Sequence, residues 1–161
     1  IKFPRTKQLY SVSRRTMMND SNIIKHKVPE VAEYLTLRKA CGLSLRGTAA
    51  SKIGLSNSLF AGDSFEEPAI NLVGMGRLIG DSRYCLSILD IAVLPEDQGN
   101  GFGKINQSAI MNIIHNEVDP QAYVNLIADC PAENLYQQFG FVETAPKSIG
   151  MYLKKMSFSS F

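Results

Sequence analysis

Residues 88–94 read ILDIAVL, apolar at every position except Asp90. A near-continuous apolar run of this length predicts a strand buried on both faces. Pro95 stops it, having no amide hydrogen for a ladder. Gln98, Gly99, Asn100, Gly101, Phe102 and Gly103 follow, and from Lys104 the period becomes helical, with Ile105, Ala109, Ile110, Ile113 and Ile114 on one face. Asp119-Pro120 breaks that helix. Tyr123, Val124, Leu126 and Ile127 predict a second buried strand, and Pro131 then stands at the first position of another helix that Gly140 ends.

Upstream, residues 21–28 predict a short strand around Ile23 and Ile24, and Pro29 opens a helix whose apolar side is Val31, Ala32, Leu35 and Leu37 with Tyr34. Cys41-Gly42 closes it with a glycine where a left-handed cap is wanted. Residues 46–54 predict a shorter helix, and residues 56–60 and 69–80 predict strands. The second of these strands carries Gly74, Gly76 and Gly80, which leave one face bare for close approach by another backbone or a ligand. Asp81-Ser82-Arg83 turns the chain into the central strand. Residues 141–144 and 149–154 predict two closing strands. Strands alternating with helices in this way predict an α/β (α+β) mixed sheet.

Composition narrows the class. A chain of 161 residues, 45% hydrophobic and 20% charged, is expected to be soluble, with a basic arm or first strand over residues 1–27 and one domain over residues 28–161. No apolar run approaches a membrane span. Cys41, Cys85 and Cys130 are odd in number and scattered, and His26 and His115 lack ligand spacing, so neither a disulfide framework nor a metal site is expected. The net charge of +2 hides an asymmetry. Residues 1–27 hold seven basic side chains against Asp20 alone, leaving ten basic and fourteen acidic elsewhere. A solvated arm or edge strand is the favoured reading of the basic segment, ahead of nucleic-acid contact or an organelle-targeting remnant.

The glycine loop opening a helix is a place for phosphate, because unpaired N–H groups and the positive end of the dipole converge there. It is not a nucleotide P-loop, since Gly103-Lys104 is followed by Ile105, and not a dinucleotide fingerprint, since the third glycine position holds Lys104. Gln98-x-x-Gly101-x-Gly103 after an apolar strand resembles the pyrophosphate loop of the GNAT superfamily of acyl-CoA-dependent N-acetyltransferases. Ala132, Leu135, Tyr136, Phe139, Gly140 and Phe141 are similar to that superfamily's Ala-x-x-Leu-Tyr-x-x-x-Gly-Phe signature. The resemblance covers residues 72–153.

That resemblance implies the GNAT fold: a mostly antiparallel central sheet, flanked by helices, with one splayed parallel strand pair. It implies acetyl-CoA as co-substrate, its pantetheine arm along the backbone of Ile91, Ala92 and Val93 and its pyrophosphate on Gln98, Gly99, Asn100, Gly101, Phe102, Gly103 and Lys104. Asn134 is a further candidate contact. Tyr136 is the implied donor of a proton to the departing thiolate. Amine deprotonation needs a base, for which Asp90 and Asp129 are the candidates. Glucosamine 6-phosphate N-acetyltransferases look similar at both places. Burial is expected to raise the pKa of Asp90, and the two acids together would make a rim suited to a cationic amine. Tyr34 and Arg38, four apart on the first helix, are candidate substrate contacts.

The expected function is acetyl transfer to a primary amine, with a small molecule (amino sugar, polyamine or arylalkylamine) as acceptor. The expected compartment is the cytoplasm, or the nucleus, and an edge-strand homodimer is common in the family. A non-catalytic acyl-CoA-binding regulatory module and a protein or peptide N-acetyltransferase are the alternatives.

Overall fold

The computed structural model describes residues 22–25, 28–66 and 71–153. Apart from its first strand, the basic arm therefore lies outside the described residues. These residues fall into two compact parts, one ending at Leu126 and the other beginning at Ile127. No helix among them is long and apolar enough to cross a membrane.

The first part is a five-stranded sheet in the order β1-β2-β3-β4-β5, comprising β1 Asn22–Lys25, β2 Phe60–Glu66, β3 Asn71–Gly80, β4 Cys85–Val93 and β5 Tyr123–Leu126. Neighbours are antiparallel except β4 and β5, which run parallel. This is the mixed sheet that the alternation of elements predicts, with the single parallel pair that the GNAT resemblance implies. Helices α1 (Val31–Ala40) and α2 (Thr48–Ser56) precede β2, and α3 (Phe102–Glu117) connects β4 to β5. Residues 56–60, expected as a strand, instead complete α2 and reach β2 only at Phe60. Their apolar residue Leu59 bonds through its backbone to Leu78 O just before the ladder begins.

Helix α1 opens on a capping box in which Glu33 accepts the Glu30 amide hydrogen at 3.2 Å, and Gly42 ends it at φ +69°. Its inner side packs Tyr34 and Leu37 with Leu55 of α2, Met75 of β3 and Ala92 of β4. Removing Leu37, Leu55 and Met75 from water is worth roughly 2 kcal/mol each. Helix α3 packs across β2, β3 and β4, burying Phe102, Ala109, Ile110 and Ile113. Ile105 and Ile114, expected on the same face, are half-buried, and His115 is exposed in the last turn.

The bare face of β3 meets this helix. A side-chain carbon on Gly74 would lie 2.9 Å from Asn106 Nδ2 and 3.2 Å from Ala92 O, and one on Gly76 would lie 2.6 Å from Ile91 Cδ1 and 3.0 Å from Ile110 Cδ1. The glycines thus let α3 and β4 close onto the strand. At the turn, Asp81 Oδ1 accepts the amide hydrogens of Arg83, Tyr84 and Cys85 at 2.8–3.0 Å, which sets the start of β4.

In the second part, α4 (Glu133–Gln137) is the only regular element among the described residues. Gly140, at φ +86°, follows it, and the amide hydrogens of Gly140 and Phe141 bond back to Gln137 O and Tyr136 O. The two closing strands are a correction. Residues 141–144 and 149–153 form no ladder here; Thr144 and Ser148 instead close a turn around Pro146 through the Ser148 amide and the Thr144 hydroxyl. Alternating apolar residues make a strand only where a neighbouring strand takes up their backbone groups.

Candidate active site

The parallel pair is joined over four residues. Cys85 to Ile88 of β4 pair with Tyr123 to Leu126 of β5, and side chains reinforce the junction. Ser87 Oγ donates to Asn125 Oδ1 at 2.7 Å, and Asn125 Nδ2 donates to Leu86 O at 3.1 Å. The ladder stops at Ile88–Leu126, while β4 continues to Val93. Residues 89–93 therefore carry backbone groups on the side away from β3 that this ladder does not use. Ile91, Ala92 and Val93, the expected pantetheine segment, lie within that stretch.

On the other side, the β3–β4 register shifts. Met75 pairs with Ala92 but Arg77 pairs with Leu89, so Asp90 and Ile91 together oppose Gly76. One extra residue is a β-bulge, which bends the strand and increases its twist. Asp90 sits in it at φ +56°. The left-handed region is sparsely populated by residues other than glycine, although aspartate tolerates it better than most.

The Asp90 carboxylate is held from three directions. Arg38 of α1 donates through Nη1 to Oδ1, while Arg77 of β3 donates to Oδ2 at 2.7 Å and the Tyr34 hydroxyl donates to Oδ2 at 2.9 Å. The same hydroxyl accepts from Arg38 Nη1 at 3.2 Å and from Arg77 Nη1 at 3.3 Å. Both guanidiniums also lie over the Tyr34 ring, 5.3 and 5.8 Å from its centre. Arg38 continues to Ser44 O through Nε and Nη2 at 3.1 and 2.8 Å. Arg77 continues to Ser58 Oγ at 3.0 Å and to Gly54 O at 2.9 Å. Tyr34, Arg38 and Arg77 are only 3, 3 and 7% exposed.

This arrangement reverses the expected shift of Asp90. Burial alone would raise its pKa, but the Arg38 charge and the hydrogen bonds from Tyr34, Arg77 and Arg38 outweigh burial and hold the carboxyl below its ordinary value. Burial raises the Tyr34 hydroxyl, and the Asp90 charge adds to the shift. Two guanidiniums face one carboxylate, so the acid contributes no net negative charge to a rim for cations. Tyr34 and Arg38, expected as substrate contacts, are placed inside this network with their polar atoms bonded to the chain itself.

Arg77 escaped the sequence reading. Its signal was there: a charge inside the apolar, glycine-rich β3, near the matching opposite charge inside β4. Cys41 adds a further link, its thiol donating to Val93 O at 3.2 Å. Burial raises its pKa, with Glu96 contributing.

Beyond β4, a short 3-10 turn, Pro95–Asp97, leads into the loop. Gln98 Nε2 donates to Val93 O at 3.2 Å. Gly99 and Gly101 take φ +85° and +87°, and space is open around both. Gln98, Gly99, Asn100, Gly101 and Lys104 are exposed, Gly103 is half-buried, and Phe102 is buried as the first residue of α3. The first N–H groups of a helix have no intrahelical acceptor, so the loop presents amides, one lysine and the positive end of a sixteen-residue helix to solvent.

In the second part, Tyr136 is buried and T-stacked on Phe141 with ring centres 6.3 Å apart. Burial raises the Tyr136 pKa, and the nearby Asp129 charge raises it further. The hydroxyl thus stays protonated through neutral pH. The exposed Asp129 accepts the Ala132 amide hydrogen with its backbone carbonyl at 2.7 Å, and α4 begins at Glu133 with Ala132 as its cap, two residues after the start expected at Pro131. Asn134 is exposed and donates to Pro131 O at 3.3 Å. Among the described residues, no group of histidine, cysteine or acidic side chains is arranged to hold a metal ion.

No family model matches the chain. A Staphylococcus aureus protein of unknown function, described as a "probable acetyltransferase", is 40% identical, with a TM-score of 0.78 over 83% of this chain and 99% of that one. The GCN5-related N-acetyltransferase 2, chloroplastic, of Arabidopsis thaliana is 31% identical over 99 residues, 60% of this chain and 37% of that protein. The chain belongs to the GNAT family of N-acetyltransferases. A further relative, the uncharacterized N-acetyltransferase ycf52 of Gracilaria tenuistipitata var. liui, is 29% identical over 121 residues, 72% of this chain and 65% of that protein. The chain thus spans 37% and 65% of the length of these two relatives.

Proposed function

We propose that this GNAT chain transfers the acetyl group of acetyl-CoA to a primary amine of a small molecule by direct attack on the thioester. The observation that carries this reading is the edge of β4 beyond Ile88, which leads into an exposed helix-opening loop with two left-handed glycines. An extended amide-bearing arm matches a strand edge, and a pyrophosphate matches a helix N-terminus with open space around its glycines. The N-acetyltransferase names of the relatives support the same reading.

Acetyl-CoA would supply an activated acyl group on a thiol leaving group. The chain's own residues do the rest. Backbone N–H groups within Ile91, Ala92 and Val93 would bind the arm and stabilise an oxyanion. Amides of Gly99, Asn100, Gly101, Phe102 and Gly103, with Gln98 and Lys104, bind the phosphates. Tyr136, kept protonated by burial, delivers a proton to the leaving sulfur. Asp129 is the acid proposed to take the proton of the amine. Asp90 is not assigned that step, because two guanidiniums and a hydroxyl hold its oxygens and keep it a weak base.

Thiol release from acetyl-CoA by the purified protein tests this directly, without acceptor and then with amino sugars, polyamines, arylalkylamines and basic peptides. Release stimulated by one small amine class is expected. Stimulation by peptides alone moves the acceptor to proteins, and tight CoA binding without release by any acceptor favours a regulatory binding module.

A further inference from the structure

The Arg38–Asp90–Arg77 network sits where β4 changes direction, and its side chains are buried. We propose that Arg38, Arg77 and Tyr34 act as positioning residues: by gripping the carboxylate of Asp90 they fix the β4 bulge, and thereby set the course of the cofactor edge at residues 89–93. This rests on the reading of that edge as the acyl-CoA site.

Three observations carry it. First, Asp90 holds a left-handed backbone conformation within a strand, and such a conformation persists only where the surroundings over-determine it. The surroundings here are the two arginines and Tyr34. Second, the bulge is the last irregularity before the free edge. From Ala92 onward the register with β3 is regular again, and Leu94 N–H bonds to Val73 O at 2.8 Å. On the β5 side, pairing has ended two residues before Asp90. The bulge therefore governs the course of residues 89–93 beyond the end of the β5 ladder, where they stay paired to β3 alone.

Third, the grip reaches beyond the strand. Arg38 ties Asp90 to Ser44 after α1, and Arg77 ties it to Gly54 in the last turn of α2 and to Ser58 beyond it. One carboxylate thus joins both helices to the strand that carries the cofactor edge. A shift of α1 or α2 would be transmitted to that edge through two charge-assisted hydrogen-bond systems.

The test compares wild type with Asp90→Gly, Asp90→Asn and the double variant Arg38→Met/Asp90→Gly. Glycine accepts the left-handed backbone without strain, so Asp90→Gly removes the grip while permitting the bulge. Amide hydrogen exchange is followed by segment, and CoA binding is followed by calorimetry. Exchange of residues 89–94 in Asp90→Gly is expected to accelerate at least tenfold while α3 amides keep their wild-type rates. The CoA dissociation constant is expected to rise at least fivefold, with Asp90→Asn intermediate and the acid limb of the kcat/KM profile unmoved. Uniform acceleration across the sheet with unchanged CoA affinity would overturn the proposal and leave a purely structural ion pair. Loss of the acid limb with unchanged CoA affinity would overturn it in favour of a base. If Asp90→Gly does not fold, the double variant, which leaves Arg77 with Gly54 and Ser58, carries the same readouts. Should wild type fail to bind CoA, the acyl-CoA reading fails, while the local or uniform pattern of exchange still decides whether the network pins the bulge.

Discussion

Arg77 pairs in register with Leu89, yet its guanidinium reaches one residue further and meets Asp90 Oδ2 at 2.7 Å. The bulge makes this reach possible, because it presents the carboxylate toward β3 and α1 at the point where a regular strand would have continued its alternation. A buried ion pair of this kind is costly to break rather than strongly favourable to make. That asymmetry governs the first prediction.

Asp90→Asn should cost about 3–5 kcal/mol at neutral pH, since two buried guanidiniums lose their counter-charge. The folded pKa of Asp90 is depressed, so its stabilisation is complete above the ordinary aspartate value of about 3.9 and disappears as pH falls through the lower folded value. Melting temperatures across pH should therefore show the widest gap between wild type and variant at neutral pH, narrowing in acid. A gap of constant width from neutral to strongly acid pH would contradict the ionic account.

Tyr136→Phe should lower kcat by about a hundredfold or more while leaving the KM for acetyl-CoA near wild type, as loss of a general acid does. Because burial and Asp129 raise the hydroxyl, any alkaline limb due to Tyr136 must lie above the ordinary tyrosine value of about 10. Steady-state rates of the two proteins across alkaline pH check both statements.

Gly99→Ala and Gly101→Ala should separate loop conformation from packing. An added carbon meets nothing within 4 Å at either position, but φ is +85° and +87°. Each should cost about 1–2 kcal/mol through the left-handed backbone alone. CoA affinity should fall about tenfold, which is about 1.4 kcal/mol of lost binding. Calorimetric titration with CoA, together with thermal melts, distinguishes the two losses.

Gly80→Ala should be the most damaging of the β3 glycine substitutions. Its new carbon would sit 2.2 Å from Cys85 O, a backbone atom, and φ is +150°. At Gly76 the obstacles are the ends of the Ile91 and Ile110 side chains, which can turn aside. Urea unfolding should show about 3 kcal/mol or more lost for Gly80→Ala and about 1–2 kcal/mol for Gly76→Ala. Equal losses at the two positions would show that backbone and side-chain obstacles are equivalent here.

What could be read in the sequence was what local periodicity encodes. The apolar run of β4, the helical face of α3, the glycine loop between them and the strand β5 all follow from spacing within short windows, while the parallel pairing of β5 with β4 came from the family resemblance. The bulge did not, because an extra residue is visible only against a partner strand. Nor did the low pKa of Asp90. Burial could be inferred from its apolar neighbours, but the compensating Arg38 lies 52 residues away in another element. The strands expected at residues 56–60, 141–144 and 149–154 are not formed among the described residues for a related reason: alternation marks a residue's readiness for a ladder, and only the rest of the fold supplies one.

Two arginines share one aspartate in the interior of this chain, and that imposes an order on its history. A lineage that lost Asp90 first would pass through a protein with two unneutralised guanidiniums side by side. A lineage that first exchanged Arg38 or Arg77 for a neutral side chain would retain a one-to-one pair and stay folded. The three positions should therefore drift together among relatives, with an arginine the first of them to change.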